Sequence, residues 1–311
     1  MALDRILLAE PRGFCAGVER AVQVIDLVLE AYDAPIFCRR EIVHNRHVVT
    51  GFEAKGVTFV EELEEVPDNS TVVFSAHGVS PTVWAEAEAR GLTVIDATCP
   101  LVTRVHLEVK AFVKKNFTIL YIGHAQHDEA VGVMGEAPDS VILVETVEDA
   151  RTVDVPDASK VVCLTQTTLS VDDTQEIQDV LKSRFADLVV PPKSDICYAT
   201  SNRQAAVKKL CDDVELVLIV GSGNSSNSNR LVEVARGCGT ASYLISKPVD
   251  IDPAWLEGVN AVGISSGAST PEVLVDAVVA DLKQHGAPEV GAVTVAIEDT
   301  VFRLPRELQT T

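Results

Sequence analysis

Residues 93–112 read TVIDATCPLVTRVHLEVKAF, and this stretch contains the plan of the fold. Thr93 to Ala97 is a short β-branched run of the kind that forms a strand. Thr98-Cys99-Pro100 is a loop, with Pro100 suited to the first turn of a helix. Val102, Val105, Val109 and Phe112 then recur at helical spacing. A cysteine therefore stands between a strand and the helix that follows it. Working outward, the same order appears at the N-terminus as Ile6 to Ala9, the loop Pro11-Arg12-Gly13-Phe14-Cys15, and a helix with Val18, Val22, Ile25 and Leu29 on one stripe. It appears again, blurred by Pro191 and Pro192, as Leu188 to Val190, the loop ending Asp195-Ile196-Cys197, and a helix from about Ser201 to Cys211.

Each of these cysteines precedes two further strand, polar loop and helix units. After Cys15 the loops present His44 and His77, at offsets of 29 and 62; after Cys99 they present His127 and Thr168, at 28 and 69; after Cys197 they present Ser225 and Ser269, at 28 and 72. Ser80-Pro81, Ser170-Val171-Asp172-Asp173 and Thr270-Pro271 mark helix starts that close each third. Three equivalent thirds of about 95 residues account for this order. The alternation of strands and helices predicts an α/β fold, mainly parallel, in three related domains. The predicted boundaries are 16–97, 98–194, and 1–15 with 195–283, with 284–311 as a tail on the first domain. Ligands of open α/β sheets sit beyond the carboxyl ends of the strands, so all these loops are expected to serve one site.

The composition sets the class of partner. A formal charge of -20, spread over many helices, excludes nucleic acid as a partner. No apolar run is long enough for a membrane helix and the N-terminus reads straight into a strand, so a cytoplasmic protein is expected. There, seven cysteines are thiols or metal ligands, not disulfide partners. Cys38, Cys163, Cys211 and Cys238 are read as small core side chains. Cys15, Cys99 and Cys197 are set apart by their loops: two thiols could pair, but three from separate units suit a metal centre, and a 4Fe-4S cluster held by three cysteines keeps one iron without a protein ligand. The Gly, Ser and Asn loops, with the histidines, are natural cradles for phosphate oxygens, and no Walker motif points to nucleotide hydrolysis. Glu129 is the carboxylate among them and the candidate proton donor.

Taken together, PRGFCAGV, VHN, SAHGVS, DATCPLVT, TQTTLSVDDT, DICYAT and NSSNSNRL resemble the 4-hydroxy-3-methylbut-2-enyl diphosphate reductases, the IspH or LytB family, from about Leu7 to Leu282. The resemblance implies a trefoil of three α/β domains and reductive removal of an allylic hydroxyl, giving isopentenyl and dimethylallyl diphosphate. It implies cluster ligands Cys15, Cys99 and Cys197, an iron open to the substrate hydroxyl, and ferredoxin or flavodoxin as electron donor. His44, His77, His127, Ser225, Ser226, Asn227 and Ser269 match the diphosphate site. Glu129 with Thr167, one residue before the Thr168 of the repeat, matches the proton-delivery pair. The sequence departs from the family at Asp128, where proline is usual, and an extra carboxylate there is expected to raise the pKa of Glu129. The alternatives are a non-catalytic iron-sulfur redox sensor, which leaves the phosphate-type loops unexplained, and a three-cysteine zinc hydrolase, which predicts colourless protein.

Overall fold

The computed structural model describes residues 3–309. In chain order it runs β1 (Leu3–Glu10), α1 (Ala16–Ala31), β2 (Ile36–Arg39), α2 (Arg46–Glu53), β3 (Val57–Val60), β4 (Thr71–Phe74), α3 (Pro81–Ala89) and β5 (Thr93–Asp96). The middle of the chain forms α4 (Pro100–Val113), β6 (Thr118–Ile122), α5 (Asp128–Met134), β7 (Val141–Val144), α6 (Val147–Thr152), β8 (Val161–Thr165) and α7 (Val171–Arg184). The last part forms α8 (Tyr198–Leu210), β9 (Leu216–Val220), α9 (Ser226–Gly237), β10 (Ala241–Ile245), β11 (Ala261–Ser266), α10 (Glu272–Leu282) and β12 (Gly286–Thr294). None of the described helices is long and apolar enough to cross a membrane.

The chain packs as two compact units. One comprises the described residues of Met1–Ala16, His44–Val48 and Tyr198–Val301; the other comprises those of Gly17–Val43, Val49–Cys197 and Phe302–Thr311. The second contains two parallel sheets, ordered β3-β2-β4-β5 and β7-β6-β8. The first contains one parallel sheet, ordered β10-β9-β11-β1-β12.

The three sheets share one connectivity. In each, the first strand after the cysteine lies between the second and the third, and the strand that leads to the next cysteine adds beside the third. β5 plays this last part before Cys99, and β1 plays it before Cys15. Before Cys197 the sequence predicts a strand at Leu188 to Val190, but only a single bridge forms, Val189 with Val162. Pro191 and Pro192 follow at once, and proline cannot extend a ladder. The bridge still has ladder character: Cys163 donates its N–H to Val189, and Val189 donates to Val161, both at 2.9 Å.

Alternating strand residues feed cores on both faces of a sheet, as parallel sheets require. On β6, Leu120 and Ile122 join the Cys163, Ile177 and Leu181 cluster, while Ile119 and Tyr121 join Val105, Val109 and Val162. On β9, Leu216, Leu218 and Val220 face Val275 and Val278, while Val217 and Ile219 face Val207 and Leu231.

Three details differ from the pattern read in the sequence. In α1 the buried face is Val18, Ala21, Val24, Ile25 and Val28, with Val22 and Leu29 only half-buried, because the small Ala21 contributes to it. The predicted tail begins as β12, paired parallel to β1 with Leu7 opposite Gly291. Its glycines and Pro288 disguise a strand, and β12 is the edge strand where such residues are tolerated. Farther on, Arg303 accepts a hydrogen bond at 2.7 Å from Arg20 of α1, inside the second unit. Finally, Cys38 and Cys163 are buried as expected, but Cys211 is half-buried and Cys238, capping α9, is exposed.

Candidate active site

The loops at the carboxyl ends of the strands are tied together by one hydrogen bond that occurs three times. The backbone N–H of Cys15 donates to Ala268 at 3.2 Å, that of Cys99 to Ala76 at 3.0 Å, and that of Cys197 to Thr167 at 3.0 Å. Each cysteine is thus tethered to the last polar loop of a third, and the next residues in those loops are Ser269, His77 and Thr168. The bond makes Thr168 the positional counterpart of His77 and Ser269. Each cysteine also lies immediately before a helix, where unpaired N–H groups favour a thiolate.

In the unit that holds Cys15, Ser225 caps α9 and accepts the N–H of Ser228. Asn227, buried in the first turn, accepts the Ala268 N–H at 2.8 Å and donates to Thr200 at 3.3 Å. Ser269 donates to the His44 carbonyl at 3.0 Å, joining the VHN loop to the SSGAS loop. Two glycines allow this. A Cβ on Gly221 or on Gly267 would run into Ser228, so both loops can lie against α9 only as glycine. The hydroxyls of Ser265 and Ser266, at the end of β11, are buried without a partner among the described residues.

In the other unit, His127 caps α5 and its Nδ1 accepts the Glu129 N–H at 3.1 Å. The proton of the neutral ring is then on Nε2. His77 lies edge-on to His127, with ring centroids 5.8 Å apart, and its Nδ1 is 3.2 Å from the Ser75 hydroxyl. Glu129 is 1% exposed, not a solvated helix-start residue. Its Oε1 accepts the Thr167 N–H and its Oε2 meets the Thr167 hydroxyl, both at 2.8 Å. Burial pushes the Glu129 carboxyl up to about 7, against the downward pull of those two bonds. Asp128 is not the cause, contrary to the expectation from its position. It faces Arg40 at 3.8 Å and His77 at 3.9 Å.

Two other side chains at these loops lie inside the TQTTLSVDDT and DICYAT motifs, where the sequence assigned them no role. Gln166, fully buried, accepts the His124 N–H at 3.1 Å and donates to the Thr168 hydroxyl at 2.8 Å. Asp195, two residues before Cys197, accepts the Thr165 N–H at 3.0 Å. Burial, and then the neighbouring Glu108, raise its pKa. Long-range contacts of single residues leave no periodicity, so sequence spacing could not find them.

The chemistry of the three cysteines, each taken in its own unit, fits that of iron-sulfur ligands. Cys15, Cys99 and Cys197 are half-buried loop thiols outside any disulfide. Arg20, which donates to the Thr98 carbonyl at 3.0 Å, lies within charge range of Cys99. By contrast, burial raises the Cys38 thiol strongly and the Cys163 thiol up to about 12, which suits packing and not ligation.

Comparison with known proteins identifies the family. The LytB protein family model matches residues 6–283. A 4-hydroxy-3-methylbut-2-enyl diphosphate reductase of Rhodococcus opacus is 56% identical over 306 residues, which is 98% of this chain and 91% of the relative. One of Streptomyces coelicolor is 54% identical, over 98% of this chain and 90% of the relative. The solved E-1-hydroxy-2-methyl-but-2-enyl-4-diphosphate reductase of Plasmodium falciparum superposes with a TM-score of 0.94 at 36% identity, covering 98% of this chain and 97% of that one. A second solved structure, described as the terminal enzyme of the non-mevalonate pathway, gives 0.63 at 32% identity, covering 91% and 100%.

Proposed function

Because this chain belongs to the LytB family of 4-hydroxy-3-methylbut-2-enyl diphosphate reductases, we propose that it performs their reaction. An allylic diphosphate alcohol takes up two electrons and two protons, loses its hydroxyl as water, and leaves as isopentenyl or dimethylallyl diphosphate. This is the terminal step of the non-mevalonate route to isoprenoids. The observation that supports the reading is the threefold bond from cysteine N–H to loop carbonyl, which ties the backbone of each cysteine to a polar loop.

Cys15, Cys99 and Cys197 would hold a 4Fe-4S cluster, with the domain 98–194 bringing Cys99 and the domain 1–15 plus 195–283 bringing Cys15 and Cys197, while 16–97 brings none. When bound, that cluster supplies the electrons and one iron with no protein ligand, which acts as a Lewis acid. The chain's own residues do the rest. His44, His77, His127, Thr168, Ser225, Ser226, Asn227 and Ser269 bind and orient the diphosphate, through imidazole, hydroxyl and amide donors and the first turn of α9. They supply positive potential locally in a protein whose net charge is -20.

Glu129 delivers the proton. With its pKa near 7 it is partly protonated at neutral pH, as a general acid must be. Thr167 fixes both carboxyl oxygens, so the proton is presented in one direction. The electron donor is a small redox protein such as ferredoxin or flavodoxin, in the cytoplasm. A redox sensor would have no use for a buried carboxyl held ready to give up a proton. The test is anaerobic assay of cluster-replete protein with reduced dye and the hydroxylated allylic diphosphate. Formation of the two isomeric diphosphates is expected, and no turnover overturns the reading.

A further inference from the structure

The last polar contacts of the unit that contains Cys15 come from the end of the chain. Val295 donates its N–H to Glu10 at 2.9 Å, and residues 295–301 then run on outside the described strands and helices. They alternate. Val295, Ile297, Asp299 and Val301 are exposed, while Ala296, Glu298 and Thr300 turn inward. Glu298 accepts hydrogen bonds from Arg203 Nη1 at 3.1 and 3.2 Å and from Asn202 at 3.1 Å. Thr300 hydrogen-bonds the Tyr198 hydroxyl, which also takes the backbone N–H of Ala16.

Arg203 is fully buried, and an unpaired guanidinium there would be very costly. Besides Glu298 it donates to the Gly13 carbonyl at 3.1 and 2.7 Å, to the Phe14 carbonyl at 3.3 Å and to the Ala199 carbonyl at 3.0 Å. The two residues before Cys15 are therefore held by Arg203, and the residue after it by Tyr198. Both holding groups are fixed in turn by the tail.

We propose that Glu298 and Thr300 form a strap that positions the Cys15 loop, with Glu298 acting through Arg203 and Thr300 through Tyr198. The inference rests on the reading of Cys15 as a cluster ligand. A strap of this kind sets the direction of the thiolate and keeps the loop shut. Without it the cluster is still assembled but is lost faster, because partners behind a metal ligand typically account for about 10- to 100-fold in metal retention.

The test uses the full-length chain reconstituted without oxygen, as Glu298→Ala, Glu298→Gln, Thr300→Val and Cys15→Ser. Iron per chain and the decay of cluster absorbance on exposure to air are measured, with melting of the cluster-free protein as the folding control. Glu298→Ala and Thr300→Val are expected to lose the cluster at least several-fold faster than the parent, within the range of about 10- to 100-fold for Glu298→Ala. Glu298→Gln, which keeps an acceptor for Arg203 and Asn202, is expected to recover most of the difference. Parental decay in both Glu298→Ala and Thr300→Val overturns the strap. A Cys15→Ser protein that retains a normal cluster overturns the ligand reading instead. If Glu298→Ala melts far below the parent, Thr300→Val alone decides.

Discussion

At the scale of single residues the proposed proton step depends on Glu129, whose carboxyl is raised to about 7 by burial while both its oxygens are held by Thr167. Replacing it with glutamine keeps the shape and the Thr167 contacts but removes the proton. Turnover of Glu129→Gln, measured at saturating substrate, is expected to fall by about 100- to 10,000-fold, with substrate affinity nearly unchanged. In the parent, turnover is expected to fall as pH rises through about 7 and the donor ionises, a limb that the residual activity of Glu129→Gln lacks. Stability follows the same proton. The folded carboxyl binds it more tightly than the unfolded one, whose ordinary pKa is 4.5, so this group's contribution is intact at low pH and is lost between that value and about 7. Denaturant unfolding at pH 8 should therefore show Glu129→Gln more stable than the parent, by about 3 kcal/mol at most. Glu129 was legible as a carboxylate among polar loops. Its burial was not, because whether a helix-start glutamate faces solvent depends on what covers α5.

At the scale of elements the tight places are where loops lie against helices. Gly221 and Gly267 come from different strand ends, yet both approach the same side chain, Ser228 of α9. Gly267→Ala is expected to destabilise the protein by about 1–3 kcal/mol in urea unfolding, as overpacking does. Adding Ser228→Ala should recover part of that loss, which a double-mutant cycle would measure as a coupling between the two positions. Deep in the sheet the opposite change costs more. Leu218 has no exposed surface, and Leu218→Ala is expected to cost about 2–5 kcal/mol. Strand and helix order could be read from the chain because both faces of each parallel sheet are apolar and helices punctuate them regularly. β12 was missed because an edge strand has no need of an apolar run, and its proline and glycines imitate a loop. The strand before Cys197 was over-read for the converse reason. Leu188 to Val190 has the right residues, but two prolines stop the ladder after one bridge.

At the scale of the whole molecule the iron content is the readout. Purified without oxygen, the parent is expected to be brown with about four irons per chain. Serine at Cys15, Cys99 or Cys197 should each remove most of that iron, whereas Cys238→Ser, on the exposed end of α9, should leave it unchanged. Equal iron in all four variants would show that the loop thiols hold no cluster. The threefold order was visible in the sequence because strand, cysteine and helix recur at similar spacing, and the structure repeats it in sheet connectivity and in the bond from each cysteine to its neighbouring loop. The residues behind that order, such as Arg203 and Gln166, make contacts that single positions cannot announce.

The placement of β1 has a further consequence for how the protein is made. β1 leaves the ribosome well before its partners β11 and β12, with Arg5 opposite Ala261 and Glu289. At usual translation speeds the nascent N-terminus waits about 10 to 50 s for them. During that time its apolar strand is open to chaperones, and Cys15 lacks the Ala268 carbonyl that later fixes its backbone. If Cys15 holds the proposed cluster, its loop can be completed only after synthesis has passed the last third, so loading of that cluster would follow translation.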